Sequence, residues 1–431
     1  MNSSKVPVTV IVPTYNRGQL IKQSVDSILG QTRLPNEIIV VVDGSTDETG
    51  DVLTTYGDQI RIVSKPNGGK SSALNLGLSL ATQQYIWIFD DDDIACPGAL
   101  EHLYSKLSNT PEAGISYGML NMFYGDWPGT VTGPRLCYSS NDRIALYIKL
   151  MQDFFIWQGS MLVRKECYDS VGEFDERFTR SQDYQMLLRL VRRFEAVAVP
   201  RIIFHQRHHG GERGPGHARF DAQQADQVWT RFDQMIFEEI YESHGLEEFC
   251  YQTADGPLDP RTELTALLQR GAIMARKGLF GRATKDMEKA AHVASDLPEL
   301  ILNEQELTAL RVVFEHGARS QFGSRAEAAK FFHAIRCFKP SVADRITGNL
   351  LLPVTNRAKL WRQRPGKLQE ARQLMYLSTN LLRPATMPQY VAARRTECRL
   401  FRLDVMTAVE NTEAKAGTSP HPTVSAGGML H

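Results

Sequence analysis

The chain has 431 residues, too many for one ordinary hydrophobic core. Of these residues 42% are hydrophobic and 23% charged, a composition typical of a soluble globular protein. No apolar run is long enough to cross a bilayer, and the N-terminus lacks the basic start and long apolar core of a secretory signal. The six cysteines include no CxxC pair, which argues against a zinc site or a disulfide framework and fits a reducing compartment. These features predict two domains and a cytoplasmic location.

The first half of the chain alternates strand-like and helix-like segments. Four short apolar runs predict buried strands, namely VTVIVPTYN, EIIVVVDGSTD, IRIVSK and YIWIFDDDD. The intervening segments predict helices: QLIKQSVDSILGQ, GDVLTTYG and SSALNLGLSLAT, the last with Ser71 or Ser72 as its N-cap. Continuous apolar strands separated by helices indicate a Rossmann-like α/β fold, a mostly parallel sheet with helices on both faces. In such sheets ligands bind beyond the carboxyl ends of the strands.

Later segments predict two added strands, an amphipathic helix and a last strand, in the order GISYGMLNMFY, QGSMLVRKECYDSVG, SQDYQMLLRLVRRF and AVAVPRIIFHQR. After about Leu246 only helical segments remain, and LTALLQRGAIMARKGLFGRATKDMEKAAHVA predicts one helical hairpin. The tail is poor in hydrophobic residues, which predicts disorder. We therefore expect an α/β domain over residues 1–246, an all-α accessory domain over 247–410 and a disordered tail over 411–431.

The formal net charge of zero hides an uneven distribution. Residues 1–250 carry 23 Lys and Arg against 32 Asp and Glu, whereas residues 251–431 carry 26 against 17. Solvated helix surfaces account for a basic excess of this size, and contact with anionic lipid or another polyanion is the alternative.

Four consecutive aspartates, Asp90–Asp93, end the fourth predicted strand. Carboxylates at this spacing raise one another's pKa, and a hard divalent cation such as Mg²⁺ or Mn²⁺, which takes oxygen ligands, offsets the repulsion. Successive side chains of an extended segment point to opposite sides, so we expect Asp90 and Asp92 on one side and Asp91 and Asp93 on the other. An acidic, solvated turn is the alternative.

Two more polar clusters follow predicted strands. In VVVDGSTD, Asp43 is placed to accept hydrogen bonds from a base or a ribose, although Asp-Gly-Ser is also an ordinary turn. The segment NGGKSS, Asn67–Ser72, is Gly-rich and opens a helix, which suits a diphosphate bound by backbone N–H groups and Lys70. Neither the Walker nor the Rossmann glycine spacing is present, which disfavours an ATPase and a dehydrogenase.

Five segments together resemble the inverting family-2 glycosyltransferases of the GT-A fold, within the nucleotide-diphospho-sugar transferase superfamily. They are VTVIVPTYNR, EIIVVVDGSTD, NGGKSSALNLGL, IFDDDDIACPGAL and GEFDERFTRSQDYQMLLRL, and they follow one another in the order and spacing of that family. The resemblance implies a GT-A catalytic domain with Mn²⁺ or Mg²⁺ as cofactor. It would move a sugar from a nucleotide-diphosphate donor, a UDP-sugar before others, to an acceptor hydroxyl with inversion.

The resemblance also implies residue assignments. Asp183 of SQDY corresponds to the catalytic base, for which a helix N-terminal acid is the alternative, and Asp92 to the metal ligand with Asp90 as its helper. Arg207 and His209, after the last predicted strand, are candidates for diphosphate or metal contacts, and a flexible polar loop is the alternative. The nucleotide sugar is implied to contact Pro13, Thr14, Tyr15, Arg17, Asp43, Lys70 and Asp91.

The sequence departs from the family pattern at two positions. Val42 precedes Asp43 where a second acid is common, and Gln182 precedes the implied base where Glu is common. Trp157 falls where acceptor-site residues occur in the family, and a core tryptophan is the alternative.

Two other functions are weighed against glycosyl transfer. A sugar nucleotidyltransferase is disfavoured because its Gly-rich loop is missing after the first predicted strand, and a non-catalytic scaffold is disfavoured because Asp92 and Asp183 are both present. The implied partners are a nucleotide-sugar donor and a carbohydrate or lipid-linked acceptor of glycan, polysaccharide or glycolipid biosynthesis, without nucleic acid. Peripheral contact with the inner face of the membrane through the basic half is the alternative to a purely cytoplasmic protein.

Overall fold

The computed structural model describes residues 5–133, 138–140, 142–208, 225–251, 256–315, 325–363, 368–382 and 384–394. His209 and the predicted tail over 411–431 lie outside these residues.

A nine-stranded sheet forms the centre of the first half of the described chain. Its strands are β1 Val6–Thr14, β2 Pro35–Asp43, β3 Arg61–Lys65, β4 Tyr85–Ile88, β5 Ile94–Ala95, β6 Ala113–Tyr124, β7 Thr130–Val131, β8 Met161–Arg164 and β9 Glu195–His208. The order across the sheet is β3-β2-β1-β4-β8-β6-β9-β5, and β7 pairs with β6 outside this path.

The strands β1 to β4 are mutually parallel, as their continuous apolar sequences predict. Thr14 at the end of β1 pairs with Val42, and Asp43 at the end of β2 pairs with Lys65. Ile11 pairs with Ile88 at the end of β4. The polar segments that follow these strands therefore meet at one edge of the sheet, which is where ligands bind in folds of this class.

The other half of the sheet is mixed. β8 is antiparallel to both β4 and β6, β6 is parallel to β9, and β5 is antiparallel to β9. The second added strand is shorter than its sequence predicts, because β8 ends at Arg164 and the following segment KECYDSV turns into a helix.

The helices within the described residues are α1 Gly18–Leu29, α2 Thr49–Thr54, α3 Lys70–Leu80, α4 Ala99–Ser108, α5 Arg143–Gln152, α6 Lys165–Val171, α7 Gln182–Arg193, α8 Ala225–Ser243, α9 Pro260–Arg276, α10 Phe280–Ser295, α11 Glu304–Arg311, α12 Arg325–Arg336, α13 Pro340–Gln363 and α14 Leu368–Leu381. The predicted hairpin of α9 and α10 is confirmed. The predicted cap of α3 is wrong, because Gly69 occupies the N-cap position and the Ser71 hydroxyl donates to the carbonyl of Phe178 instead.

Helices cover both faces of the sheet. On one face α1 and α4 pack against alternate residues of β1, including Val8 and Val10. On the other face α5 and α7 share a continuous apolar core with α9 to α13, and this core includes Ile86 and Ile88 of β4. The helical second half is therefore packed against the α/β half. In the part of the chain that the structure describes, no helix has the length and hydropathy needed to cross a membrane.

Candidate active site

A cleft of about 800 Å³ opens at the carboxyl edge of the parallel strands, a volume within the usual range for small-molecule sites. Every site residue that the sequence predicts, apart from the undescribed His209, lines this cleft. These residues are Pro13, Thr14, Tyr15, Arg17, Asp43, Lys70, Asp90, Asp91, Asp92, Asp183 and Arg207.

The four aspartates do not alternate as an extended segment would. The chain turns after Phe89, so that the Asp93 N–H points back to the Asp90 carbonyl oxygen at 3.5 Å. Carboxylate oxygens of Asp90, Asp92 and Asp93 consequently lie within 4.8 Å of one another. The expectation that Asp93 faces away from Asp90 and Asp92 is wrong, and Asp93 is a member of the cluster that sequence reasoning missed.

The aspartates of this turn are buried and lie close together, and this raises the pKa values of Asp91 and Asp93. Burial and the nearby Asp92 raise the pKa of Asp91 to about 7, although Arg17 lowers it. Burial and the charges of Asp92 and Asp90 also raise the pKa of Asp93 well above its usual range. Arg17 compensates part of the negative charge, with Nη2 3.9 Å from Asp92 Oδ2. Three convergent carboxylates form a hard-oxygen donor set, and this set fits Mg²⁺ or Mn²⁺.

Asp43 organises the glycine-rich turn before α3. Its carboxylate oxygens accept hydrogen bonds from the N–H groups of Gly68 at 2.9 Å and Gly69 at 2.7 Å, and from Lys65 Nζ at 2.7 Å. Gly69 has φ +86°, a left-handed conformation that glycine adopts without strain. The N–H groups that the sequence offered to a diphosphate are therefore bound to Asp43, and the contact between Asp43 and the nucleotide stays a prediction.

Lys70 forms a hydrogen bond with Asp90 of the aspartate cluster and interacts electrostatically with Asp183. Its Nζ donates to Asp90 Oδ1 at 2.5 Å. Burial lowers the pKa of Lys70, but the charges of Asp90 and Asp183 outweigh burial and raise it above its usual value. The charges of Asp90 and Asp183 therefore favour the protonated form of Lys70.

Asp183 is the second residue of α7, and Ser181, the N-cap of this helix, has a left-handed backbone with φ 57°. Such a conformation is uncommon outside glycine and is kept where the surroundings hold it. The Ser181 hydroxyl donates to Asp233 Oδ1 of α8 at 3.0 Å, and Asp183 Oδ1 accepts from the N–H of Tyr184 at 2.9 Å. Burial raises the pKa of the Asp183 carboxyl, while Lys70 opposes the shift.

Arg207 binds the protein rather than facing open solvent. Its backbone N–H donates to Asp93 Oδ1 at 2.9 Å, and its Nε donates to the Asp92 carbonyl at 2.9 Å. Its Nη1 and Nη2 donate to the Gly125 carbonyl and to Gln23 Oε1. Arg207 therefore holds the aspartate turn against β9, and a contact with diphosphate stays a prediction.

Aromatic and basic side chains form the wall of the cleft near Asp183. Trp157 is partly buried and contacts the ring of Phe154 at 5.6 Å, and Phe154 contacts the ring of Tyr184 at 5.0 Å. Trp157 lines the cleft and also packs on the core, and its contact with an acceptor stays a prediction. Arg276 and Lys277, at the end of α9, line the same wall, and no sequence motif pointed to them.

The family model described as Glycosyl transferase family 2 matches residues 9–171. GlyG, a glycosyltransferase of Streptococcus pneumoniae serotype 4, is 30% identical over 201 residues, which are 43% of this chain and 67% of GlyG. The chain belongs to glycosyltransferase family 2.

The chain is also similar to other proteins, over different shares of its length. An uncharacterized glycosyltransferase of Rickettsia bellii is 29% identical over 244 residues, which are 54% of this chain and 34% of that protein. The chain thus spans about a third of the length of this relative. The crystal structure of S. aureus TarS 1–349 has a TM-score of 0.45 and 13% sequence identity, with 91% of each chain covered.

Membership of glycosyltransferase family 2 confirms the predicted GT-A fold and, at the level of the family, the predicted enzyme class. The match over residues 9–171 includes Asp43, Lys70 and the aspartate cluster. Asp183, Arg207 and the whole helical half lie beyond it, so their functions rest on the geometry of the cleft.

Proposed function

We propose that this family-2 glycosyltransferase transfers a sugar from a nucleoside-diphosphate sugar, with UDP-sugars as the first candidates, to a hydroxyl of a carbohydrate or lipid-linked acceptor. The transfer inverts the anomeric configuration and depends on Mn²⁺ or Mg²⁺. One observation carries the proposal. Asp183, a carboxylate with a raised pKa, lines the same cleft as the carboxylate cluster of Asp90, Asp92 and Asp93.

The donor occupies the edge of the parallel strands in this proposal. Asp90 and Asp92 hold the divalent cation, and the nucleoside lies along the ends of β1 and β2. The cation, when bound, supplies positive charge for the departing nucleoside diphosphate. The charge of Lys70, beside Asp90, adds to that stabilisation.

The acceptor approaches from the side of Asp183. Glycosyl transfer passes through an oxocarbenium-like transition state, and the attacking hydroxyl must lose its proton. Asp183 accepts this proton, and the raised pKa of its carboxyl brings its basicity closer to that needed near neutral pH. A single base and direct attack leave no covalent sugar intermediate, so the configuration inverts. The ring of Trp157 offers an apolar face to the acceptor sugar.

Calorimetric titration of the protein with UDP, GDP, CDP and dTDP, each with Mn²⁺ and with EDTA, tests the donor part of the proposal. Binding of one diphosphate in Mn²⁺ and its loss in EDTA is the expected result. Release of that diphosphate from the matching nucleotide sugar then tests turnover. If folded protein binds none of the four, the proposal fails and a non-catalytic scaffold becomes the better explanation.

We also propose a cytoplasmic protein that meets its lipid-linked acceptor at the inner face of the membrane. The basic excess of the second half supports this location, as do exposed apolar side chains on the same half: Ile301, Met375, Leu382 and Val391. Co-sedimentation with vesicles of phosphatidylcholine and phosphatidylglycerol tests it. Association should fall as salt rises, and no association at low salt contradicts the proposal.

A further inference from the structure

Two consecutive basic residues of the helical half are buried at the cleft. Arg276 is 4% exposed and Lys277 is 7% exposed. They lie at the end of α9, where the Lys277 N–H still donates to the Ile273 carbonyl and closes the helix. Burying a charged group is costly unless it is paired or hydrogen-bonded. Their contacts with the catalytic half therefore indicate what keeps them in place.

Arg276 binds the segment that leads to the aromatic wall. Its Nε donates to the Gln152 carbonyl at 2.8 Å, and its Nη2 lies 3.3 Å from Asp153 Oδ2. Its Nη1 donates to the Val312 carbonyl of the helical half at 2.6 Å. Gln152 and Asp153 end α5, and the chain continues directly to Phe154 and Trp157. Arg276 thus fixes the start of the loop that carries these two rings.

Lys277 binds the residue next to the proposed base. Its Nζ donates to Tyr184 Oη at 3.0 Å and lies 4.9 Å from the centre of the Tyr184 ring and 4.6 Å from that of Phe237. Tyr184 Oη in turn donates to the Leu150 carbonyl of α5 at 2.6 Å. Because Tyr184 follows Asp183 directly, Lys277 restrains the first turn of α7 from the side of the helical half.

The two contacts converge on one structure. The Phe154 ring touches both Trp157 and Tyr184, so the loop held by Arg276 and the helix held by Lys277 form one continuous wall. We propose that Arg276 and Lys277 are positioning residues through which the helical half sets the acceptor side of the site. Arg276 places the rings that receive the acceptor, and Lys277 places Asp183. This inference rests on the proposed function.

Substitutions of the two residues should change different kinetic parameters. Loosening the ring-bearing loop with Arg276→Gln weakens acceptor binding, so the acceptor KM rises about 10-fold or more while kcat changes less. Moving the base with Lys277→Met lowers kcat by about 10-fold to 100-fold, since a displacement of about 1 Å costs on that scale. Hydrolysis of the donor by water uses the base but not the acceptor rings. It falls in Lys277→Met and falls less in Arg276→Gln.

The experiment uses the full chain with Mn²⁺ and the sugar nucleotide that wild-type protein turns over, taken from UDP-, GDP-, CDP- and dTDP-sugars. A set of p-nitrophenyl glycosides serves as acceptor probes. The affinity for the nucleoside diphosphate should not change in either variant, and Arg276→Lys and Lys277→Arg should recover part of the lost kinetics. Arg270→Gln is the matched control, because Arg270 is a largely buried cation of α9 that binds Asp286 of α10 at 2.7 Å.

Two milder variants keep the inference testable if the first ones unfold. Asp153→Asn removes the ionic partner of Arg276, and the Asp153 side chain is 57% exposed. Tyr184→Phe removes the acceptor of the Lys277 hydrogen bond and keeps the ring. The kcat effects of Tyr184→Phe and Lys277→Met should be non-additive, as for residues in direct contact.

The possible outcomes separate the inference from the function. The inference is supported by a rise in the acceptor KM of Arg276→Gln and Asp153→Asn, together with a fall in the kcat of Lys277→Met and Tyr184→Phe. Equal losses in all variants, including Arg270→Gln, overturn it, and so do wild-type kinetics in the variants. A wild-type protein that binds and turns over no sugar nucleotide overturns the proposed function, and this inference with it.

Discussion

Asp183 is subject to two opposing influences at the start of α7. Burial raises the pKa of its carboxyl, and the Lys70 cation and the Tyr184 N–H lower it. The net shift is upward, so the carboxylate is a stronger base than an exposed aspartate. The left-handed backbone of Ser181 and its hydrogen bond to Asp233 hold this first turn in place. Position and basicity together are what a proton acceptor for a sugar hydroxyl requires.

Replacing Asp183 by Asn should reduce kcat by about 100-fold or more, the usual scale for loss of a general base. The affinity for nucleoside diphosphate with Mn²⁺ should stay near the wild-type value. The base works only when deprotonated, so wild-type kcat/KM should fall as pH drops through its raised pKa, above the ordinary value of about 4. The variant should lack this acidic limb. Asp169→Asn, at a side chain that is 61% exposed, is the control. An equal loss of donor affinity would count against the base.

Asp92 has a different expected phenotype, because it belongs to the cluster with Asp90 and Asp93. Asp92→Ala removes one carboxylate from the proposed cation site. Binding of the nucleoside diphosphate in Mn²⁺ should fall to the level that wild-type protein shows in EDTA, as measured by calorimetry. The EDTA titration is thus the built-in control. Wild-type affinity and wild-type response to Mn²⁺ in this variant would contradict the assignment of Asp92 as a ligand.

At the scale of the element, the sequence predicts the parallel strands well and the turns after them less well. The apolar runs of β1 to β4 alone predict that Thr14, Asp43 and Asp90 lie at the carboxyl edge of the sheet. The alternation expected at Asp90–Asp93 fails, because Asp is compatible both with an extended segment and with a turn and the sequence does not decide between them. The N–H groups of Gly68 and Gly69 bind Asp43, and no pattern in the sequence shows that Asp43 reaches them.

The turn before α3 should depend on the charge of Asp43. Its two oxygens accept three hydrogen bonds, and an asparagine at this position offers only one oxygen. Asp43→Asn therefore removes an acceptor from these partly buried hydrogen bonds and should lower the free energy of unfolding by about 1 kcal/mol. Donor affinity should also fall, because this turn precedes Lys70. Urea unfolding and calorimetry measure the two effects. Asp58→Asn, at an exposed position, should change neither, and an unaltered Asp43→Asn would refute this account of the turn.

At the scale of the whole molecule, the helical half contributes to the wall of the cleft, because Arg276 and Lys277 line it. Arg276 and Gln152 are 124 residues apart in the chain, and Lys277 and Tyr184 are 93 residues apart. Neither pair has a spacing or motif that predicts contact. The shared core of α5, α7 and α9 joins the helical half to the α/β half, and the domain boundary near Leu246 stays a prediction.

A chain that ends at residue 246, the boundary suggested by composition, should therefore fail to fold. Removing α9 to α14 takes away part of the apolar core that contains the side chains of Leu150, Met151 and Leu187 in α5 and α7, all fully buried. Each such side chain contributes about 1.5–3 kcal/mol when buried, and three of them approach the total stability of about 5–15 kcal/mol of an ordinary domain. We expect aggregation or loss of near-ultraviolet circular dichroism, and no cooperative unfolding. A chain that ends at residue 410 keeps α9 to α14 and should behave as the full protein. A monomeric 1–246 fragment with cooperative unfolding would contradict this prediction, because it would show that the α/β half is stable without α9 to α14. The positioning of the site by Arg276 and Lys277 would then not depend on a shared folding unit.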